Sequence, residues 1–472
     1  MDAITSLPRF IPELILLGTA FGVLFLDLFI SHKKFLTSLA FIGVAASLAF
    51  VRYPSEPLPL FFGFFTLDPF SFFFKIAALG IVAATVLATL SSEPTLPYLG
   101  EFTVLLLFTG LGLILMGSSN NLLMIFLSIE FVSLMSYLLV GFLKSSPRSK
   151  EAALKYLLFG SVSSGTMLFG MSLLFGITGA IDLNVIQDKL AQGLAPSGLV
   201  VASLLLIMTG LGFKISMAPF HMWAPDVYEG APTPVTAFLT VGPKALGFAI
   251  LLRVLQTTFL ELHAQWSYLL AALSMLTMTL GNVIAISQTN IKRLLGYSSI
   301  AQAGYILMGL AVSNEIGIMG VLLYLVAYTF ANLGAFLCVI SVSNYSGTDE
   351  IDSYAGLGTR SPFLAVALTL FLLSLAGIPP LAGFVGKFYV FASAMEGRFF
   401  TLAVVAALNS AVAAFYYFKV VRLMYLAPAT DPTPLAHPAP LFAALILTLA
   451  GVLIMGLFPS PVIEFVERVL IL

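Results

Sequence analysis

Residues 209–223 read TGLGFKISMAPFHMW, and the reading of this stretch decides what kind of protein the chain encodes. It follows SGLVVASLLLIM (197–208), which has no charge at all. Into this apolar context come Lys214, Pro219 and His221. A lysine costs about 2.5–3.5 kcal/mol at the centre of a membrane helix, and proline breaks the helical ladder. Either the run lies outside a membrane, or the lysine has a task inside one.

Composition closes the first alternative. Hydrophobic residues make up 60% of the 472 and charged residues only 9%, with a mean hydropathy of +1.05. Soluble domains carry roughly 25% charge, so the chain reads as a polytopic membrane protein. A net charge of −1 and the lack of long charged tails give no reason to expect nucleic acid. The single cysteine, Cys338 in AFLCVI, excludes internal disulfides, cysteine-ligated iron–sulfur clusters and c-type haem. The start, MDAITSLPRFIPEL, lacks a basic n-region and leads into a long apolar run. That predicts a retained first helix rather than a cleaved signal.

A bilayer core of about 30 Å takes about 20 apolar residues per helix. Cutting at polar, proline and glycine clusters yields fourteen spans, beginning near residues 10, 34, 67, 100, 121, 151, 198, 232, 267, 294, 316, 362, 400 and 438. The fold class is therefore all-α polytopic, a single membrane domain over 1–472. The segment 180–198 is too polar to span. Ile181, Val185, Ile186 and Leu190 are predicted to form the apolar face of a short interfacial helix there. Of the 21 Lys and Arg, nine fall in odd-numbered loops, six in even loops or termini, and six inside spans. The positive-inside bias thus places odd loops in the cytoplasm and both termini outside.

Charges within spans are functional hypotheses by default. Glu130, in NNLLMIFLSIEFVSLMSYLLV, is nearly ten residues from either polar end, too deep to snorkel. Lys214 is as deep, and Lys244 lies inside PVTAFLTVGPKALGFAILL. Pro219 and Pro243 free backbone carbonyls near them, and such breaks are tolerated where protein or water satisfies the loose groups. A Glu130–Lys214 pair of variable separation would be a proton switch. His221 suits either a proton relay or packing. In SLAGIPPLAGFVGKFYVF (374–391) an apolar span is again interrupted, and again carries one lysine, Lys387. Two interrupted helices, the seventh and twelfth, each with a deep lysine, point to an inverted-repeat transporter. The repeats run over about 100–256 and 267–427, with flanking helices at 10–30, 34–51, 67–90 and 438–458. Lys155, one turn beyond Glu151, fits helix capping or proton transfer equally. Lys75 and Lys419 sit near enough to span ends to snorkel, Asp27 lies near the end of the first span, and Asp226 and Glu229 read as solvated loop residues.

At this point the residues carry a resemblance. FKISMAPFHMWAPDVYEGAPTPVTAFLTVGPKALGF and QTNIKRLLGYSSIAQAGYILMGL resemble subunit N of proton-translocating NADH–quinone oxidoreductase, respiratory complex I, over essentially the whole chain. The resemblance implies an antiporter-like subunit of the membrane arm. Glu130 and Lys214 would form the charge pair of a first half-channel, Lys244 the link between half-channels, and Lys387 the second half-channel. His221 would lie near a hydrated central axis. Gln302, in SSIAQAGY, stands where many relatives have histidine, leaving water or Tyr297 to carry any relay there. No redox cofactor is implied in this chain; NADH, FMN, iron–sulfur clusters and quinone would belong to partner subunits. The implied partners are sister antiporter-like subunits, small membrane subunits and the lipid of a bacterial inner membrane. Two competing readings remain: a multisubunit sodium/proton antiporter subunit, and a non-pumping scaffold. The block around Trp223–Pro232 speaks against the first, the cost of the deep lysines against the second.

Overall fold

The computed structural model describes residues 2–91, 96, 98–193, 196–429, 433, 435 and 438–470. Its membrane helices, in chain order, are α1 (Ile11–Leu26), α2 (Lys33–Ala49), α3 (Pro69–Leu90), α4 (Leu99–Ser118), α5 (Leu122–Val140), α6 (Pro147–Thr178) and α7 (Ser197–Ile215). They continue as α8 (Thr233–Arg253), α9 (His263–Ile286), α10 (Ile291–Val312), α11 (Glu315–Ser346), α12 (Pro362–Ala376, resuming at Ala382–Glu396), α13 (Phe400–Leu426) and α14 (Ala439–Leu457). Among the described residues, eleven helices are long and apolar enough to cross a membrane. A twelfth is gained if Ala3–Arg9 and Ile11–Leu26, bent by 80°, are one span.

Eleven is fewer than the fourteen expected, and the shortfall has a geometric cause. α1 and α2 hold 16 and 17 residues, about 24–26 Å at 1.5 Å per residue, and α12 is two halves of 15. Apolar runs in the sequence do not show where the helix itself ends. The short helix Leu183–Ala191 corrects the interfacial face as well: Leu183 and Ile186 are its buried residues, whereas Val185 is exposed.

Local chemistry sets the ends. Asp68 and Ser71 form a capping box with Pro69 at the first turn of α3, satisfying orphan N–H groups. Asn121, Ser146, Asn290 and Asn314 cap α5, α6, α10 and α11 with side-chain oxygens. One arrangement occurs twice. α6 and α11 are both 32 residues long, and each ends on a left-handed glycine, Gly179 or Gly347. After each, the chain bridges back to the Asn cap of an earlier helix, Asn121 to Asp182 and Asn290 to Glu350. The first bridge joins even-numbered connections and the second odd-numbered ones, so they sit at opposite ends of the bundle.

α8 and α10 are enclosed on all sides. A helix with no lipid-facing surface can carry polar groups on any side, provided its neighbours satisfy them. Pro243 lies inside α8, where its missing N–H weakens the ladder. Close by, the carbonyl of Thr240 accepts a hydrogen bond from the Tyr328 hydroxyl (2.9 Å), and Asn332 donates to Thr240 Oγ1 (2.8 Å).

Candidate functional site: a buried line of lysines

α7 stops at Ile215, where Ser216 takes a left-handed conformation (φ 60°). The chain resumes as the seven-residue helix Ala224–Gly230. Lys214 therefore occupies the last turn of α7, 3% exposed. Its Nζ donates to Ser133 Oγ on α5 at 3.0 Å. Glu130 is three residues before Ser133, on the same helical face, and accepts from Ser164 Oγ of α6 at 2.5 Å. Among the described residues Glu130 and Lys214 form no direct ion pair; Ser133 stands between their positions.

Lys244 is 1% exposed and donates to the carbonyl and the hydroxyl of Ser299 on α10, at 2.8 and 2.9 Å. Lys387, on the second half of α12, is 5% exposed. It donates to the Ala376 carbonyl at 2.8 Å and to Ser410 Oγ of α13 at 3.3 Å, and lies 4.5 Å from the centre of the Tyr305 ring. Ala376 is the last residue of the first half of α12. The break at Gly377 leaves terminal carbonyls without helical partners, and a cation at a helix C-terminus fills that role.

Between Lys244 and Lys387 runs a chain of neutral polar groups. Ser298, next to Lys244's partner, hydrogen-bonds the Tyr417 hydroxyl. Gln302 donates to Tyr417 OH (3.3 Å) and to the Leu375 carbonyl (2.9 Å), and accepts from Tyr324 OH at 2.6 Å. Asn282 donates to Tyr305 OH (3.0 Å) and accepts from Tyr416 OH (3.0 Å). Tyr297 is placed elsewhere: Arg293 lies over its ring. Around Lys214 and Lys244, the buried atoms Tyr137 OH, Ser216 Oγ, Tyr228 OH and Asn332 Oδ1 lack a well-formed hydrogen bond within the protein. Buried polar atoms of this kind are ordinarily satisfied by water.

The family described as NADH:quinone oxidoreductase/Mrp antiporter, membrane region, matches residues 119–413. NADH-quinone oxidoreductase subunit N of Trichlorobacter lovleyi is 42% identical over 467 residues, covering 97% of this chain and 95% of its own. The chain belongs to the subunit N family of NADH–quinone oxidoreductases. Subunit N 2 of Chloroherpeton thalassium is 43% identical over 444 residues, 90% of this chain and 87% of its own. A chain of respiratory complex I from Thermus thermophilus, solved with bound aureothin, superposes with a TM-score of 0.83 at 32% identity, covering 96% of this chain and 98% of that one. Like them, the chain is an antiporter-like, multi-pass membrane subunit.

Within this subunit N fold the expected residues separate into groups. Lys214, Lys244 and Lys387 are buried in the bundle and Glu130 is half-buried one turn from the Lys214 partner; of the polar groups between them only Gln302 was marked by the sequence. His221 lies in the break, half-buried, with Nδ1 unpartnered. It lies beyond the end of α7 at Ile215, so no helical register ties its direction to Lys214. Lys155 joins a surface network rather than the centre: it pairs with Glu151 (2.8 Å) and Asp226 (2.7 Å), and Arg293 pairs with Asp226 (2.7 Å) and Glu229 (2.9 Å). Asp226 and Glu229 are thus ion-paired rather than merely solvated, and Asp27 pairs with Lys33 at 2.7 Å. Lys75 does not snorkel. It is buried against Glu13 at 2.6 Å, both residues 1% exposed, with Glu13 reaching it from the first turn of α1. Lys419 is exposed on α13.

Proposed function

We propose that this chain translocates protons within the membrane arm of an NADH–quinone oxidoreductase, driven by electron transfer in partner subunits. In this reading the NADH, FMN, iron–sulfur and quinone sites belong to those partners. Sister antiporter-like and small membrane subunits flank the chain in a bacterial inner membrane, with odd-numbered loops in the cytoplasm and both termini outside. The segments 100–256 and 267–427 act as inverted repeats, each contributing a broken helix and a lysine. The twice-used Asn bridge at opposite ends of the bundle supports that division.

The observation that carries the reading is the company the three central lysines keep. Their hydrogen-bond acceptors are Ser133 Oγ, the Ser299 carbonyl and hydroxyl, the Ala376 carbonyl and Ser410 Oγ, all neutral. A contacting carboxylate would lock an ammonium in its charged state. Neutral oxygens accept from an ammonium and, more weakly, from an amine, so each lysine can release its proton and keep its place. Glu130, one helical turn from Ser133, biases the proton toward Lys214 without holding it in an ion pair. The proton then passes by way of Lys244 and the Ser298–Tyr417–Gln302 chain toward Lys387. Gln302, which cannot titrate, serves by hydrogen bonding to Tyr324 and Tyr417.

Replacing Lys214 with Met tests the relay. The complex should assemble and oxidise NADH, with fewer protons pumped per NADH in reconstituted vesicles. An unchanged proton-to-electron ratio would sink the relay, and a sodium-dependent signal in the same vesicles would favour cation antiport.

A further inference from the structure

The route into Lys214 from the odd-numbered end of the bundle is closed by rings. There a cavity of about 240 Å³ is lined by Arg148, Glu151, Lys155, Asp226, Glu229 and Arg293, among others. From Lys155 to Ser164, the Glu130 partner, α6 descends about 13 Å. Between these levels lie Tyr137 of α5, Tyr156 of α6, Phe213 of α7 and Trp223 of the break, each at most 8% exposed. Tyr156 stacks on Trp223 at 4.5 Å and 14°, meets Tyr137 edge-on at 4.8 Å, and lies 5.9 Å from Phe213. A layer of packed rings disfavours a continuous water column and so separates the charged mouth from Lys214.

One polar atom interrupts the layer. The Tyr137 hydroxyl is buried and lacks a well-formed hydrogen bond within the protein. It points at Gly160 of α6, where an added Cβ would stand 1.9 Å from it; only glycine leaves room for the oxygen. Tyr137 lies four residues after Ser133 and seven after Glu130, on one helical face with both. Ser133 is the acceptor of the Lys214 ammonium.

We infer that the Tyr137 hydroxyl, seated over Gly160 in the aromatic layer, is the proton's crossing point from the charged mouth to Ser133 and Lys214. The inference rests on the relay reading above. In the crossing, a hydronium on the mouth side gives a proton to the phenol oxygen and is left as water. The phenol's own proton meanwhile leaves inward to a water or to the neutral Lys214 amine, which ends as hydronium or ammonium. The oxygen ends neutral, and rotation of the O–H resets it. The surrounding rings disfavour a continuous water column, so protons cross through this group.

The test uses the intact complex, reconstituted into vesicles, carrying Tyr137→Phe, Gly160→Ala or Lys214→Met. Assembly is followed by native gel and pumping by protons moved per NADH oxidised. Tyr137→Phe keeps the ring, so a purely structural role would leave pumping unchanged. The expected result is assembly with the pumping ratio lowered to that of Lys214→Met. Gly160→Ala, which displaces the hydroxyl, should do the same and decides the matter if Tyr137→Phe does not assemble. Wild-type pumping in Tyr137→Phe with loss in Lys214→Met overturns this inference alone. Wild-type pumping in both overturns the relay as well.

Discussion

Substituting Gly377 with alanine probes the break in α12 more sharply than replacing Lys387 itself, because it leaves every titratable group in place. Gly377 has φ +86°, and an added Cβ would stand 2.5 Å from Lys387 Cδ and 3.2 Å from Cε. The left-handed backbone costs a non-glycine residue about 1–2 kcal/mol. The methyl must also push the lysine stem aside, drawing Nζ from the Ala376 carbonyl at 2.8 Å and from Ser410 at 3.3 Å. Hydrogen bonds to a charged group contribute about 1.5–3 kcal/mol. Together these give about 2.5–5 kcal/mol, confined to the second broken helix. The variant complex should melt at a lower temperature in detergent and pump fewer protons per NADH, with Lys387 still present. Gly165→Ala is the matched control: nothing lies within 4 Å of its added Cβ, and alanine in a helix gains about 0.5–1 kcal/mol over glycine. Wild-type melting and pumping in Gly377→Ala would refute the idea that the break holds the lysine.

Two further perturbations concern charges the relay does not use. Glu13→Gln breaks the buried pair with Lys75 and should destabilise the complex by about 3–5 kcal/mol, because one charge is left uncompensated. Adding Lys75→Met should recover most of the loss in a thermal-shift assay; a single variant as stable as the double would contradict this. Arg253 forks onto Asp68 at 2.8 and 3.1 Å and reaches the Gly117 carbonyl at 3.3 Å, tying α8 to α3 and α4. Arg253→Lys keeps the charge but loses the fork, so its melting temperature should fall between wild type and Arg253→Ala. Equal values for Lys and wild type would show that charge alone suffices.

The parts of the site that were legible share one signature, a charge where hydropathy forbids it. Glu130, Lys214, Lys244 and Lys387 stood out because each violates its surroundings. Lys75 violated them too, yet its partner Glu13 lies 62 positions earlier, and no local pattern links α1 to α3. The serines and tyrosines that hold the lysines gave no signal, since Ser133, Ser299, Ser410 and Tyr417 are ordinary residues of apolar helices. Tyr137 was equally silent: its meaning comes from Gly160 on another helix.

By itself the sequence determined that the chain is membrane-embedded, that its helices number about fourteen, and where the seventh and twelfth are interrupted. These properties follow from transfer free energy and backbone chemistry, which act residue by residue along the chain. It also marked Glu130, Lys214, Lys244 and Lys387 as charges to be satisfied internally, but not the buried pair of Lys75 and Glu13. The tertiary structure alone decided how they are satisfied: by neutral oxygens for the three central lysines, by carboxylates for Lys75, Lys155 and Arg293. That choice depends on which helices pack together and at what depth. It is the choice that separates a lysine able to exchange a proton from one fixed in an ion pair.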